Sequence, residues 1–162
     1  MKRITNLPKR KTIRLPGDAY RQNDVFSVTI AASHRHPWFH IYVELADVAV
    51  QLLADLASER KTSLYAWCIM PDHVHLLLQD EEIVEFLRLF KGRMTPKSRR
   101  LDPTRTLWQR SFYDHALRKD ESLETVAVYI WQNPVRLGIV DHAFVYPWSG
   151  SLVWPNWRQF FL

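Results

Sequence analysis

The chain has 162 residues, enough for one domain with a real core, and its 47% apolar and 24% charged side chains are ordinary for a globular protein. Its single cysteine, Cys68, excludes an internal disulfide, and no stretch reaches the roughly 18–20 apolar residues of a membrane helix. The basic N-terminus lacks a signal-peptide apolar region, so a soluble cytoplasmic protein is expected, and a net charge of +5 with a pI of about 9.5 points to a polyanionic partner.

Residues 1–22 read as a basic N-terminal arm. Lys2, Arg3, Lys9, Arg10, Lys11, Arg14 and Arg21 face one acid there, Asp18. Asp24 to Ser33 alternates apolar and small polar residues, which predicts a first strand. His34-Arg35-His36-Pro37 is expected to be a surface loop or a DNA contact. Helical spacing follows over residues 41–60 through Val43, Ala46, Val50, Leu53 and Leu56. Leu64 to Met70 is a second strand, Pro71-Asp72 a tight turn, and His73 to Gln79 a third strand, so the pair forms a hairpin.

Ile83 to about Met94 predicts a helix with Ile83, Phe86, Leu87 and Phe90 inward. Pro96 to Thr106 is expected to be a basic loop, and Leu107 to Leu117 a fourth strand. Asp120 or Ser122 caps a last helix whose inner face is Leu123, Val126, Ala127 and Ile130. Asn133-Pro134 ends or bends it, because the residue before proline avoids helical geometry. Residues 147–162 form an aromatic tail in which Trp154, Trp157 and Phe161 are expected to pack on the core. The order is that of a single α+β domain, a ferredoxin-like βαββαβ antiparallel sheet with an added C-terminal helix.

Charge is segregated along the chain. From Arg88 to Arg118 there are nine Lys or Arg and two acids, Asp102 and Asp114. That distribution suggests a basic face for nucleic acid. Some of the seven Trp, six Tyr and eight Phe are candidates to stack on unpaired bases, though most should pack inside.

The chemistry concentrates at His73-Val74-His75. Strand side chains alternate, so both imidazoles project to one face and can grip one metal ion. On the last helix, Tyr129 and Asn133 are four residues apart and so only ~40° apart around the axis. Both sit at the edge of the apolar stripe, where a tyrosine can face a cleft. Its hydroxyl should then open toward His73 and His75. The asparagine could offer an amide oxygen to the same metal, or simply stop the helix. Two imidazoles and an amide oxygen suit Mg²⁺ or Mn²⁺ with positions left open, and the absence of a cysteine pair argues against structural zinc. Such a metal polarises a phosphate, while a phenol is a weak nucleophile until deprotonated. No base for the tyrosine is evident from the sequence.

These residues resemble the REP-associated tyrosine transposases, relatives of the single-tyrosine HUH transposases. The resemblance runs from about Arg14 to Ser149. It rests on Arg14-Leu-Pro, Met70-Pro-Asp-His-Val-His75, Phe90-Lys-Gly-Arg, Leu107-Trp-Gln, Asp114-His, Tyr129-Ile-Trp-Gln-Asn-Pro-Val-Arg136 and Trp148-Ser-Gly. Leu137 departs from the family's alanine, at a position without chemistry. The resemblance implies that His73 and His75 are metal ligands, with Asn133 at the third ligand position. It implies that Tyr129 attacks single-stranded DNA, forming a 5′-phosphotyrosine bond and releasing a 3′-hydroxyl at REP hairpins. Arg14, Lys91, Arg93 and Arg136 are then candidate DNA contacts. Whether the protein acts as a monomer or a homodimer stays open. Two rival readings remain: a hairpin-binding protein without catalysis, and a metal-dependent hydrolase that uses activated water.

Overall fold

The computed structural model describes residues 24–162; the predicted N-terminal arm and Arg14 lie outside them. The first strand, β1, spans Phe26–Ala31. A left-handed kink at His34 and Arg35 leads into a short helix α1, Trp38–Ile41, and then α2, Val43–Arg60. Strands β2, Ser63–Met70, and β3, His73–Gln79, form the predicted hairpin. Helix α3 covers Ile83–Leu101, and β4 only Tyr113–Ala116. The chain closes with α4, Leu123–Trp131, a single turn α5, Asn133–Arg136, and a two-residue strand β5, Ser149–Gly150. Within the described residues, no helix is long and apolar enough to cross a membrane.

All pairings are antiparallel, and the five-stranded sheet has the order β4-β1-β3-β2-β5. The first four strands follow the expected ferredoxin-like arrangement; β5 is an addition at the outer edge. Gly150 is required there, because a Cβ would run into the Trp67 indole.

Alternation along the strands divides the interior in two. Phe26, Val28, Ile30, Leu64, Ile69, Val74, Leu76 and Leu78 pack beneath α2 and α3. Ala66, Cys68, Met70 and Leu77 face the other way and meet Ala127, Ile130 and Trp131 of α4 with Tyr146 and Trp157 of the tail. Ser122 caps α4 as expected, accepting a bond from the Thr125 amide. The tail packs as expected: Trp131 is fully buried among the rings of Trp154, Trp157, Phe160 and Phe161, and its indole donates to the Gly150 carbonyl at 3.0 Å.

Two expectations need correction. The helix expected to end near Met94 runs through Pro96 to Leu101, so much of the supposed basic loop is helical. Pro96 is exposed, where the unpaired Gly92 carbonyl can turn to water, while Met94 and Ser98 on the inner face stay buried. The fourth strand is shorter than expected. Leu107–Gln109 instead touches the far end of β1 through an Ala32–Trp108 bridge and bonds from Ser33 to Leu107 and from Gln109 to Ala31.

Candidate active site

His73 and His75 lie on the sheet face covered by α4, since Val74 between them belongs to the α2/α3 core. β3 is an interior strand, flanked by β1 and β2, so the imidazoles stand on a stiff element. Pairing places Thr29, His75 and Cys68 in one cross-strand row, with Ala31, His73 and Met70 in the next.

The two rings meet at right angles, their Nε2 atoms 2.9 Å apart. Their Nδ1 atoms are held from behind. The Asp72 carboxylate accepts from His73 Nδ1 at 2.6 Å, and Thr29 Oγ1 lies 3.0 Å from His75 Nδ1. An ionised carboxylate only accepts, so His73 carries its proton on Nδ1 and presents a bare Nε2 lone pair to the site. Two nitrogens ~2.05 Å from one ion and at right angles to it lie ~2.9 Å apart. The pair therefore fits a single divalent cation, and Asp72 and Thr29 supply the outer hydrogen bonds such ligands use.

Electrostatics keep both rings neutral. Burial is the main cause for each, pushing His75 down to about 3, with His73, Arg136 and Arg35 also disfavouring its protonation. His73 is also lowered by burial, although Asp72 pulls it upward. Neutral imidazole is the metal-binding form. Beside them Cys68 is buried, and desolvation raises its thiol to about 12, so it is a packing group.

Tyr129 projects from α4 with 60% of its surface exposed. The Arg136 guanidinium lies 3.8 Å from the centre of its ring and donates to the Tyr129 carbonyl and to Asn133 Oδ1, both at 2.8 Å. Asn133 Nδ2 in turn donates to the Ile130 carbonyl at 3.0 Å. Asn133 thus ties the end of α4 to α5. Its oxygen has a second lone pair for a cation, but one is already given to Arg136. Among the described residues no three His, Cys, Asp or Glu side chains gather as a metal cluster.

The other candidates lie apart from the histidines. Arg93 forms a two-pronged ion pair with Glu59, at 2.8 and 2.9 Å, joining α3 to α2 behind the sheet. Lys91 Nζ donates to the Gln109 carbonyl at 2.7 Å and fastens the Leu107–Gln109 segment to α3. His115 does lie on the histidine face, but it is half exposed and bonded to Glu121 at 2.8 Å. Sequence reasoning missed Thr29 and Asp72 as supports. Asp72 was signalled by its place directly before His73; Thr29 becomes visible only through the strand register.

One sheet face thus bears two facing histidines, and α4, which packs on that face, carries an exposed tyrosine. The chain belongs to the family described as "Transposase IS200 like", whose model matches residues 25–133. It is 35% identical over 98 residues to a Haemophilus influenzae protein assigned as a REP-associated tyrosine transposase, covering 52% of this chain and 56% of that one. It is 26% identical over 95 residues to the REP-associated tyrosine transposase of Escherichia coli, covering 56% of this chain and 55% of the relative. The matches thus span little more than half the length of either curated relative. A solved REP-associated tyrosine transposase bound to a REP hairpin shares the fold, with a TM-score of 0.68 and 21% identity over 86% of this chain and 82% of that one. A Deinococcus radiodurans protein assigned as a transposase aligns with a TM-score of 0.50 and 24% identity, over 72% of this chain and 95% of that one.

Proposed function

We propose that this protein cleaves and rejoins single-stranded DNA beside REP-like hairpins through a 5′-phosphotyrosine intermediate on Tyr129. The observation that carries the reading is the His73–His75 pair, with both Nε2 atoms converging at 2.9 Å and both Nδ1 atoms tied back by Asp72 and Thr29. Such backing hydrogen bonds are the mark of metal-ligating histidines. Mg²⁺ or Mn²⁺ bound there would polarise the scissile phosphate and screen the charge that develops on it.

The chain's own groups do the rest. Tyr129 Oη bonds to phosphorus as the P–O3′ bond breaks. The phenol proton is released to solvent, which reaches the exposed ring, and the departing 3′ oxygen takes a proton up. Arg136 over the ring fixes its orientation and places a cation beside the forming link. The reaction conserves one phosphodiester-type bond, so attack of a 3′-hydroxyl on the phosphotyrosine rejoins DNA without ATP. Asn133 is proposed as a further ligand through its free lone pair, and Arg136 and Arg14 as DNA contacts. Lys91 and Arg93, committed to Gln109 and Glu59, would contribute positive field rather than direct contact.

The deciding experiment uses hairpin oligonucleotides with single-stranded flanks, incubated with Mg²⁺ or Mn²⁺ and run on a denaturing gel. Wild type should give a protein–DNA adduct. Tyr129→Phe should give neither adduct nor cleavage, with its melting temperature within about 2 °C of wild type, because the residue is 60% exposed. Cleavage that persists in the phenylalanine variant would favour activated water. Hairpin binding without any cleavage by wild type would favour a purely binding protein.

A further inference from the structure

The loop after β1 holds an unusual conformation. His34 and Arg35 both have positive φ, 55° and 53°, and neither is glycine. Non-glycine residues adopt this region only where their surroundings impose it, and such positions gather at functional sites. Here the imposition is visible. Ala32 N donates to the Asp72 carbonyl at 2.9 Å, Ser33 N to Leu107 at 2.8 Å, and Arg35 N back to Ala32 at 3.1 Å. The left-handed pair follows directly on these contacts, beside Asp72 at the β2–β3 turn.

The result is an arginine at the rim of the histidine pair. Arg35 Nη1 lies 3.9 Å from Asp72 Oδ2, too far for a hydrogen bond, and its side chain is 56% exposed. Arg136, by contrast, already gives donors to two carbonyl oxygens and lies against the Tyr129 ring. Arg35 makes no side-chain hydrogen bond with the described residues. A guanidinium has five N–H donors in a planar fork that matches two oxygens of a phosphate.

We infer that Arg35 is a catalytic residue that grips a non-bridging oxygen of the phosphate under attack and stabilises the charge built up in the transition state. This rests on the transfer reaction proposed above. Asp72 divides its carboxylate between His73 and the outskirts of Arg35, so the phosphate-binding cation and the metal ligand are held by one anchor.

The test is single-turnover cleavage of a hairpin oligonucleotide by excess protein with Mn²⁺. It compares wild type, Arg35→Ala and Arg35→Lys, with DNA affinity measured in a Tyr129→Phe background and Mn²⁺ affinity by calorimetry. Arg35→Ala should slow adduct formation at least tenfold while DNA and Mn²⁺ affinities change less than threefold. Arg35→Lys should recover part of the rate. Wild type should also discriminate between the two phosphorothioate diastereomers at the scissile position more strongly than Arg35→Ala does. An unchanged rate would overturn the inference. So would a rate loss matched by an equal loss of Mn²⁺ affinity, which would reduce Arg35 to a support for Asp72. If wild type formed no adduct, the transfer reaction itself would fall, and this contact with it.

Discussion

The two faces of the sheet are built to different ends. Beneath α2 and α3 the strands present an apolar set, from Phe26 to Leu78, with polar contacts at the margin, as where Arg60 and Thr62 close on Asp80. The opposite face is apolar only under α4 and the aromatic tail. Toward the β2–β3 turn it gives way to His73 and His75, with Thr29 beside them and two arginines close enough to act on His75. One face supplies stability, while the other gives up part of its core to hold neutral imidazoles at a solvent-reachable edge. Stability and chemistry should therefore separate by mutation.

The largest effect expected on chemistry comes from the histidines. His73→Ala or His75→Ala should bring cleavage to the detection limit and abolish Mn²⁺ binding, with hairpin affinity largely kept. A chelator added to wild type should do the same reversibly. Calorimetry and gel-shift assays on the same preparations check the split. Equal loss of DNA binding would mean that the metal site and the DNA surface are not separable.

A second comparison sets Trp131→Ala against Leu53→Ala, both fully buried, one on each face. Losses of about 3–5 and 2–5 kcal/mol respectively are expected in urea denaturation. They should differ in consequence. Trp131 anchors α4, which carries Tyr129, so its loss should lower the cleavage rate even where the protein remains folded. Leu53→Ala at equal stability should cleave nearly normally. Identical activities in the two would show that the tail does not position the tyrosine.

Much of this division can be seen in the sequence, and the remainder cannot for physical reasons. Alternation alone puts His73 and His75 on one side and Val74 on the other, and α4 with its cap is evident from Ser122 and the apolar spacing. Lys91 and Arg93 look solvent-exposed on a helical wheel. Their partners, Gln109 and Glu59, lie 18 and 34 residues away, and only folding brings them near. The length of α3 is hidden because a proline usually stops a helix, and its tolerance depends on Pro96 facing water. The left-handed turn at His34-Arg35 has no local signal, since glycine or asparagine normally marks one.

Acid should expose the cost of the histidine face in the metal-free protein. With folded His75 near 3 and unfolded histidine near 6.5, the unfolded state binds more protons between those values. Stability from this residue is fully present above about 6.5 and is lost as pH falls toward 3, by at most about 1.4 kcal/mol per unit. His75→Gln should show a shallower decline over the same window in parallel urea titrations. Asp72, Arg35, Arg136 and Cys68 are shared by both proteins, and His73, which touches His75 and helps to lower it, is taken out of the difference by repeating the pair in a His73→Gln background. Identical slopes would mean that His75 is not buried in its neutral form.

The smallest change proposed is Thr29→Val, which keeps the branched shape of a β-strand residue and removes one oxygen. In the metal-free site His73 presents a bare Nε2, so the 2.9 Å contact requires His75 Nε2 to donate and its Nδ1 to accept from the Thr29 hydroxyl. When His75 gives its Nε2 lone pair to a cation, its proton must sit on Nδ1, and the same hydroxyl can turn to accept it. Thr29 is thus matched to both tautomers, whereas valine serves neither. Mn²⁺ affinity should fall about 10–100-fold, the usual effect of removing a hydrogen bond behind a metal-bound histidine. Thr29→Ser should restore most of it, and hairpin affinity should not move. Stability should fall only by the cost of one unpaired ring nitrogen, about 1 kcal/mol. Unaltered metal affinity in Thr29→Val would place the orienting force elsewhere, in packing against Cys68 across the strand.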